Sequence, residues 1–326
     1  MTQSLSPPTP VLEARLAELE SRLLSGDRRA LARVLSWVEN GDARGREMLR
    51  ALYPRSGRAR TIGLTGSPGA GKSTVTNELA KEFRSRGQTV GIVAVDPSSP
   101  YTMGAILGDR VRMAELHADP HVFIRSLASR GALGGLSAAT QDVIHVLDAF
   151  GKDVILIETV GAGQDEVEIA GCAQTTVLVN TPNMGDEVQT LKAGIMEIAD
   201  ILAVNKSDLP GADRMVSALK ALLSLAPDRG WQPPVTRIVA TRGEGVVELA
   251  DACEAHFDDL QATGRLVEAE IARARQQITA LARGRLLTQL QSEAGEARLD
   301  QLCTAVADRR ADPHTAATEW IGAATT

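Results

Sequence analysis

Residues 66–74 read GSPGAGKST, and few nine-residue stretches restrict a fold more tightly. They fit the pattern G-x-x-x-x-G-K-[ST], follow the apolar run TIGLT, and open the helical pattern STVTNELAKEF. A strand, a glycine-rich turn and a helix in that order make a phosphate cradle, the P-loop. Gly66, Gly69 and Gly71 let the backbone curl so that its N–H groups converge on phosphate oxygens, with Ser67, Pro68 and Ala70 completing the turn. The amino end of the following helix adds partial positive charge. In such a loop Lys72 neutralises the β- and γ-phosphates, the Ser73 hydroxyl is a Mg²⁺ ligand, and Thr74 continues the helix start.

The rest of the chain has the rhythm that such a loop requires. Between about 60 and 260, short β-branched runs alternate with amphipathic stretches. Strands are expected at 61–65, 89–95, 121–125, 153–158, 175–180, 200–205 and 235–240. Strand and helix in repeated alternation predict an α/β domain with a mostly parallel sheet covered on both faces. Leu12, Leu16, Leu19 and Leu23 recur at helical spacing, SGD at 25–27 breaks the pattern, and Leu31, Val34, Leu35 and Val38 resume it. This predicts a helical hairpin ending near NGD at 40–42. A long Ala-, Leu- and Arg-rich helix is expected from 265, and a second helix around 296–309. The expected divisions are an N-terminal helical extension over 1–55, the P-loop domain over 56–262, and a C-terminal helical arm over 263–326.

Composition narrows the partners. Net charge is −6, with three Trp, two Tyr and four Phe, so neither the basic footprint nor the stacking platforms of a nucleic-acid binder are present. No run of roughly 18 apolar residues occurs, so no membrane span is expected. The first ten residues lack the basic flank and apolar stretch of a signal peptide, and a cytoplasmic location is the expectation. Cys172, Cys253 and Cys303 lie far apart and form no C-x-x-C pair.

NKSD at 205–208 follows the strand ADILAVN. Asp208 can accept hydrogen bonds from guanine N1–H and the 2-amino group, and adenine offers neither donor at that edge. Losing both with a buried carboxylate disfavours adenine by ~10²–10⁴. Asn205 is expected to brace the base loops, and the Lys206 stem to lie along the base plane. ATRGEG at 240–245 stands where a backbone N–H meets guanine O6, with Ala240 and Thr241 as candidates. Acids at strand carboxyl ends face the ligand crevice. Asp96, after VGIVAV, and Asp109, in the following loop, are therefore candidate Mg²⁺-site acids. Glu158, after the apolar run 154–157, is placed to hold a metal-bound water or to activate the attacking water. Gln164 lies three residues after Gly161, so its reach to the γ-phosphate is not assured. Slow unassisted hydrolysis, ~10⁻⁴–10⁻² s⁻¹, raised by a partner, is expected. Arg110, Arg112, Arg125 and Arg130 flank these loops, either as a charge-stabilising finger or as surface charge. Gln189 and Lys192 are polar candidates in the loop 180–200.

Taken together, GSPGAGKST, VDPSSPYTMGAILGDRVRM, SRGALGG (129–135), ILIETVGAGQ and NKSD resemble the methylmalonyl-CoA mutase-associated GTPases, the MeaB family, also labelled ArgK or LAO/AO transport ATPases. The resemblance covers most of residues 12–262. It implies a metallochaperone-like GTPase fold with N-terminal helices and a C-terminal arm that forms a homodimer. It also implies a chaperone that associates with an adenosylcobalamin-dependent acyl-CoA mutase, gates cofactor loading and protects the mutase, with GTP hydrolysis as the clock. By that resemblance Lys72, Ser73, Asp96, Asp109 and Glu158 match nucleotide, Mg²⁺ and catalytic positions, GTP and GDP are the ligands, and the loop 181–192 matches a mobile segment thought to signal to the mutase. Competing readings are a metal-inserting GTPase, which needs Cys or His ligands at a dimer seam or a His-rich tail, a kinase of a transport system, and a nucleotide-dependent scaffold without turnover.

Overall fold

The computed structural model describes residues 10–96, 114–128, 135–159, 171–182, 198–225 and 230–325. Seven strands form one sheet: β1 (Arg60–Thr65), β2 (Val90–Asp96), β3 (Val122–Ala128), β4 (Val154–Thr159), β5 (Thr175–Asn180), β6 (Ile201–Val204) and β7 (Val235–Arg237). Their order is β3-β2-β4-β1-β5-β6-β7, and every pairing is parallel. All seven expected strands are present, the third extending to Ala128. The chain leaves β1 towards one side of the sheet for β2 to β4 and returns to the other side for β5 to β7. Diverging connections of this kind open a crevice at the carboxyl ends of the central strands.

Period-two alternation decides what each face packs against. On one face Val90, Ile92, Val154 and Leu156 pack with Val75, Leu79 and Phe83 of α4 (Lys72–Ser85) and Leu249 and Cys253 of α8 (Val246–Ala262). On the other, Val93, Val95, Ile155 and Ile157 meet the N-terminal helices and α6 (Gly135–Ala149). α7 (Ala212–Leu225) covers β6 through Met215, Val216 and Leu219. The short helix α5 (Ala114–Ala118) precedes β3.

The N-terminal segment departs from the expected hairpin. It forms three helices: α1 (Pro10–Leu24), α2 (Arg28–Glu39) and α3 (Ala43–Leu52). NGD does not end the unit. Asp42 starts a new helix by accepting the Arg44 N–H, just as Asp27 caps α2 by accepting N–H bonds from Arg29 and Ala30. Arg28 ties α2 to the sheet through the carbonyls of Pro120 and Val122, both at 2.7 Å. Asp148, at the end of α6, accepts N–H bonds from Gly57, Arg58 and Ala59, and so fixes the lead into β1.

The C-terminal arm also has three helices where two were expected: α9 (Arg265–Leu290), α10 (Glu293–Ala307) and α11 (Pro313–Thr325). The final helix starts at Asp312, whose carboxylate accepts the N–H groups of His314 and Thr315. The first half of α9 rests on α6, where the Gln277 amide donates to Asp142 at 3.1 Å. Burial raises the Asp142 pKa to about 6. A carboxyl group with a raised folded pKa favours folding while protonated. Stability is therefore lost as pH rises from about 4 to about 6. Asp142→Asn should remove that loss and melt above wild type by an amount worth on the order of 1–2 kcal/mol at pH 7, with little difference at pH 4. Thermal melting across pH 4–8 checks this.

Candidate nucleotide site

The glycine turn between β1 and α4 has the geometry of a phosphate cradle. Gly66, Gly69 and Gly71 have φ values of 137°, 76° and 88°, in the left-handed region that side chains rarely adopt. At Gly66 space matters as well as φ. A methyl group there would lie 2.2 Å from the Val179 carbonyl oxygen of β5. The loop is thus pressed against the neighbouring strand, and the Ala70 N–H closes it on the Ser67 carbonyl at 3.1 Å. Lys72, in the first turn of α4, is buried, and its ammonium donates to the Gly66 carbonyl and, at 3.3 Å, to that of Ser67.

Asn205 joins this cradle to the loops after β6 and β7. Its Nδ2 donates to the Ala70 carbonyl at 2.9 Å, its Oδ1 accepts the Ala240 N–H at 3.2 Å, and its own N–H donates to the Asn180 carbonyl. It is nearly fully buried, and its amide would lie 2.5 Å from a methyl at position 71. Lys206 takes a left-handed φ of 57° and donates through Nζ to the Gly69 carbonyl at 2.9 Å, so its stem spans the mouth of the loop. Asp208 is partly exposed and faces Arg242 at 3.4 Å. The Ala240–Arg242 turn closes through the Val239–Glu244 bridge. Because the Ala240 amide is given to Asn205, Thr241 remains as the candidate donor to a base carbonyl.

Glu158 stands in register between Leu64 of β1 and Ala94 of β2. It shares the face of Val154 and Leu156, the side of α4, and is fully buried. The Thr76 hydroxyl of α4 lies 2.7 Å from its Oε2 and 3.0 Å from the Lys72 carbonyl. Thr76 was not singled out by sequence reasoning. Its only signal is the position one helical turn after Lys72, on the face that meets the sheet. Thr65 and Thr159, at the carboxyl ends of β1 and β4, carry buried hydroxyls with no hydrogen-bond partner among the described residues. With Glu158 they supply oxygen donors, the chemistry that suits Mg²⁺. Ser73 follows Lys72 in the first turn of α4, and Thr74 follows it.

The other candidates divide clearly. The backbone of Asp96 ends β2 opposite Ala128, beside the crevice. Arg125 is committed elsewhere: it pairs with Glu39 of α2 and donates to the Ser36 hydroxyl, which removes it from the charge-stabilising candidates. Asp109, Arg110, Arg112, Arg130, Gln164, Gln189 and Lys192 lie outside the described residues, as does most of the loop 181–192. Among the described residues no group of three or more His, Cys, Asp or Glu has the placement of a metal site. Cys172 and Cys253 are buried and Cys303 is exposed, and none of the three is in a disulfide among the described residues. No described helix is long and apolar enough to cross a membrane.

Residues 31–295 match the family model described as methylmalonyl-CoA mutase-associated GTPase MeaB. The chain belongs to this family. A Pyrococcus abyssi protein with a provisional GTPase name is 47% identical over 92% of this chain and 94% of its own. The GTPase ArgK of Escherichia coli is 37% identical over 78% of this chain and 80% of its own. A mouse relative described as a mitochondrial methylmalonic aciduria type A homolog is 37% identical over 76% of this chain and 64% of its own. A solved structure described as a LAO/AO transport system kinase superposes with a TM-score of 0.74 at 27% identity, covering 96% of this chain and 99% of that one. The MeaB match spans the N-terminal helices from α2, the sheet and all of α9.

Asn205 is the hub of this MeaB site, and its loss should be felt in the fold. Asn205→Ala leaves the Ala240 N–H buried without its acceptor and frees the loop at Ala70. A destabilisation of about 1–3 kcal/mol is expected in denaturant titration, larger than for Lys206→Ala, whose bond is exposed.

Proposed function

We propose that the chain binds and hydrolyses GTP, and that it uses this cycle to serve an adenosylcobalamin-dependent acyl-CoA mutase of the methylmalonyl-CoA mutase type. The observation that carries the hydrolase reading is the buried Glu158 carboxylate, held by Thr76 of the P-loop helix at the end of the strand beside β1. The mutase reading draws on the family description and on the name of the mouse relative.

The parts then have these roles. The free backbone N–H groups of the loop and of the first turn of α4, Pro68 having none and Ala70 giving its own to the Ser67 carbonyl, hold the phosphates with the Lys72 ammonium, and Lys72 exchanges its own loop carbonyls for phosphate oxygens. Asp208 accepts from the guanine N1–H and 2-amino group, with Asn205 and Lys206 fixing the loop and the Thr241 amide directed to O6. Ser73, Asp96, Asp109 and Glu158 would hold Mg²⁺, directly or through its water, and the ion when bound supplies positive charge against the phosphate oxygens. Glu158 orients the attacking water and takes its proton at a carboxylate oxygen. Turnover is slow alone and rises when the partner binds. The cytoplasmic protein works as a homodimer through its C-terminal arm. Val267, Ile271, Ile278 and Leu281 of α9 support this, because they are exposed at heptad-like spacing. The divisions 1–55, 56–262 and 263–326 then separate the helical extension, the GTPase and the dimer arm.

Glu158→Gln tests the reading. Hydrolysis should fall by roughly 10²-fold or more while GTP affinity stays within about threefold. Thr76→Val should lower hydrolysis by a smaller factor. If Glu158→Gln hydrolyses GTP at the wild-type rate, the assignment fails. Mixing the protein with purified B₁₂-dependent acyl-CoA mutases should raise hydrolysis for one of them, and stimulation by none removes the chaperone role. The transport-kinase reading has the description of the structural neighbour behind it. γ-Labelled GTP separates the two, since label should appear in free phosphate and not on protein.

A further inference from the structure

Two cavities open at the amino edge of the sheet, opposite the nucleotide crevice, where α9 leaves the domain. One of about 240 Å³ is lined by His145, Asp148, Gln174 and Glu270, and one of about 290 Å³ by Gln174, Thr176, Trp231 and His256. Arg273 of α9 lines both. A guanidinium has five N–H donors and cannot shed its charge in practice. That of Arg273 is largely withdrawn from water, and burial pulls its pKa below the ordinary arginine value. Its one side-chain hydrogen bond among the described residues runs to the Ala173 carbonyl at 3.3 Å, and no carboxylate there lies within ion-pair distance. A half-buried cation with most of its donors unspent carries an unmet desolvation cost.

The charged groups that line the larger cavity beside Arg273 are already committed. In the larger cavity Asp200 accepts the Thr176 N–H at 2.8 Å and lies 3.5 Å from His256 Nε2, while its backbone carbonyl takes the Trp231 indole N–H at 2.8 Å. Arg265 is paired with Asp259. His256 is held neutral, its pKa lowered to about 4 by burial and by Arg265, so it adds no second positive charge. Glu270 lines the smaller cavity and is exposed. The lining of the larger cavity mixes these polar groups with apolar surface from Pro233, Leu260 and Ala269, and the Trp231 ring is tilted against His256 at 4.8 Å.

We propose that this larger cavity is a binding site for a small organic carboxylate, with Arg273 taking the two oxygens on its planar fork and Trp231 and Leu260 covering the apolar body. A carboxylate fits that fork bidentately. A phosphate dianion fits less well, because one guanidinium would face it beside Asp200. A bound carboxylate would tie α9 to the sheet edge, and so couple ligand level to the placement of the C-terminal arm. The inference does not rest on the GTPase reading.

Sodium benzoate is the probe, titrated into the full-length protein at constant ionic strength. The protein is held saturated with Mg²⁺ and GDP so that the P-loop is filled, and the titration is repeated without nucleotide. Tryptophan fluorescence and melting temperature are read together. A saturable change with one site per chain is expected, weakened roughly tenfold or more in Arg273→Gln, partly kept in Arg273→Lys, and unchanged in the exposed neighbour variant Arg275→Gln. Trp231→Phe should remove the fluorescence signal and keep the thermal one. No saturation by benzoate overturns the proposal, as does equal binding to Arg273→Gln with its circular dichroism intact. Saturation by inorganic phosphate alone overturns the carboxylate class.

Discussion

A methyl group at residue 66 would sit 2.2 Å from the Val179 carbonyl oxygen, and the whole site is arranged around that closeness. β1 and β5 must lie side by side for the glycine turn to curl over the sheet edge. The strand pairing puts Leu64 against Val177 and Thr65 against Leu178, immediately before the turn. Once the turn is fixed, its carbonyls anchor the side chains that make it specific. Gly66 and Ser67 hold Lys72, Gly69 holds Lys206, and Ala70 holds Asn205. The cradle is therefore a junction where the first strand, the first core helix and the two base loops are tied through backbone atoms.

The same logic places Glu158. A carboxylate is costly to bury. Here the sheet register carries it to the end of a fully buried strand, after four apolar residues, and α4 meets it with a hydroxyl. The helix that carries Lys72 and Ser73 thus also braces the acid, so in the proposed mechanism phosphate binding and water activation would share one element. Distal parts keep that element in place. α8 packs beside α4 on the same face of the sheet, and the Arg86 guanidinium at the end of α4 pairs with Glu82, Asp251 and Glu254.

Much of this was legible in the sequence because it is local. Short β-branched runs ended by turn residues gave the strands, and the nine-residue loop fixed where the first of them must lie. What could not be read depended on contacts between distant residues. Thr76 looks like any helix residue until β4 brings Glu158 against it. Arg125 looked available until α2 offered Glu39. The Ala240 amide looked as suitable as that of Thr241 until Asn205 claimed it. Asp42 was readable as a cap, yet NGD reads as the end of the hairpin and Asp42 begins a helix; Asp312 begins a further helix beyond the expected 296–309.

The central claim is that one pocket combines a phosphate cradle with a carboxylate that selects guanine. Calorimetry of Mg²⁺–GDP, Mg²⁺–ADP and Mg²⁺–XDP on the wild-type chain and on Asp208→Asn tests it most directly. The wild type should bind GDP at least roughly 10²-fold more tightly than ADP, and Asp208→Asn should lose GDP and gain XDP, whose C2 oxo group accepts from the introduced amide where the guanine 2-amino group donates to the carboxylate. Equal affinity for GDP and ADP, or an Asp208→Asn variant that keeps its preference for GDP, would contradict the account.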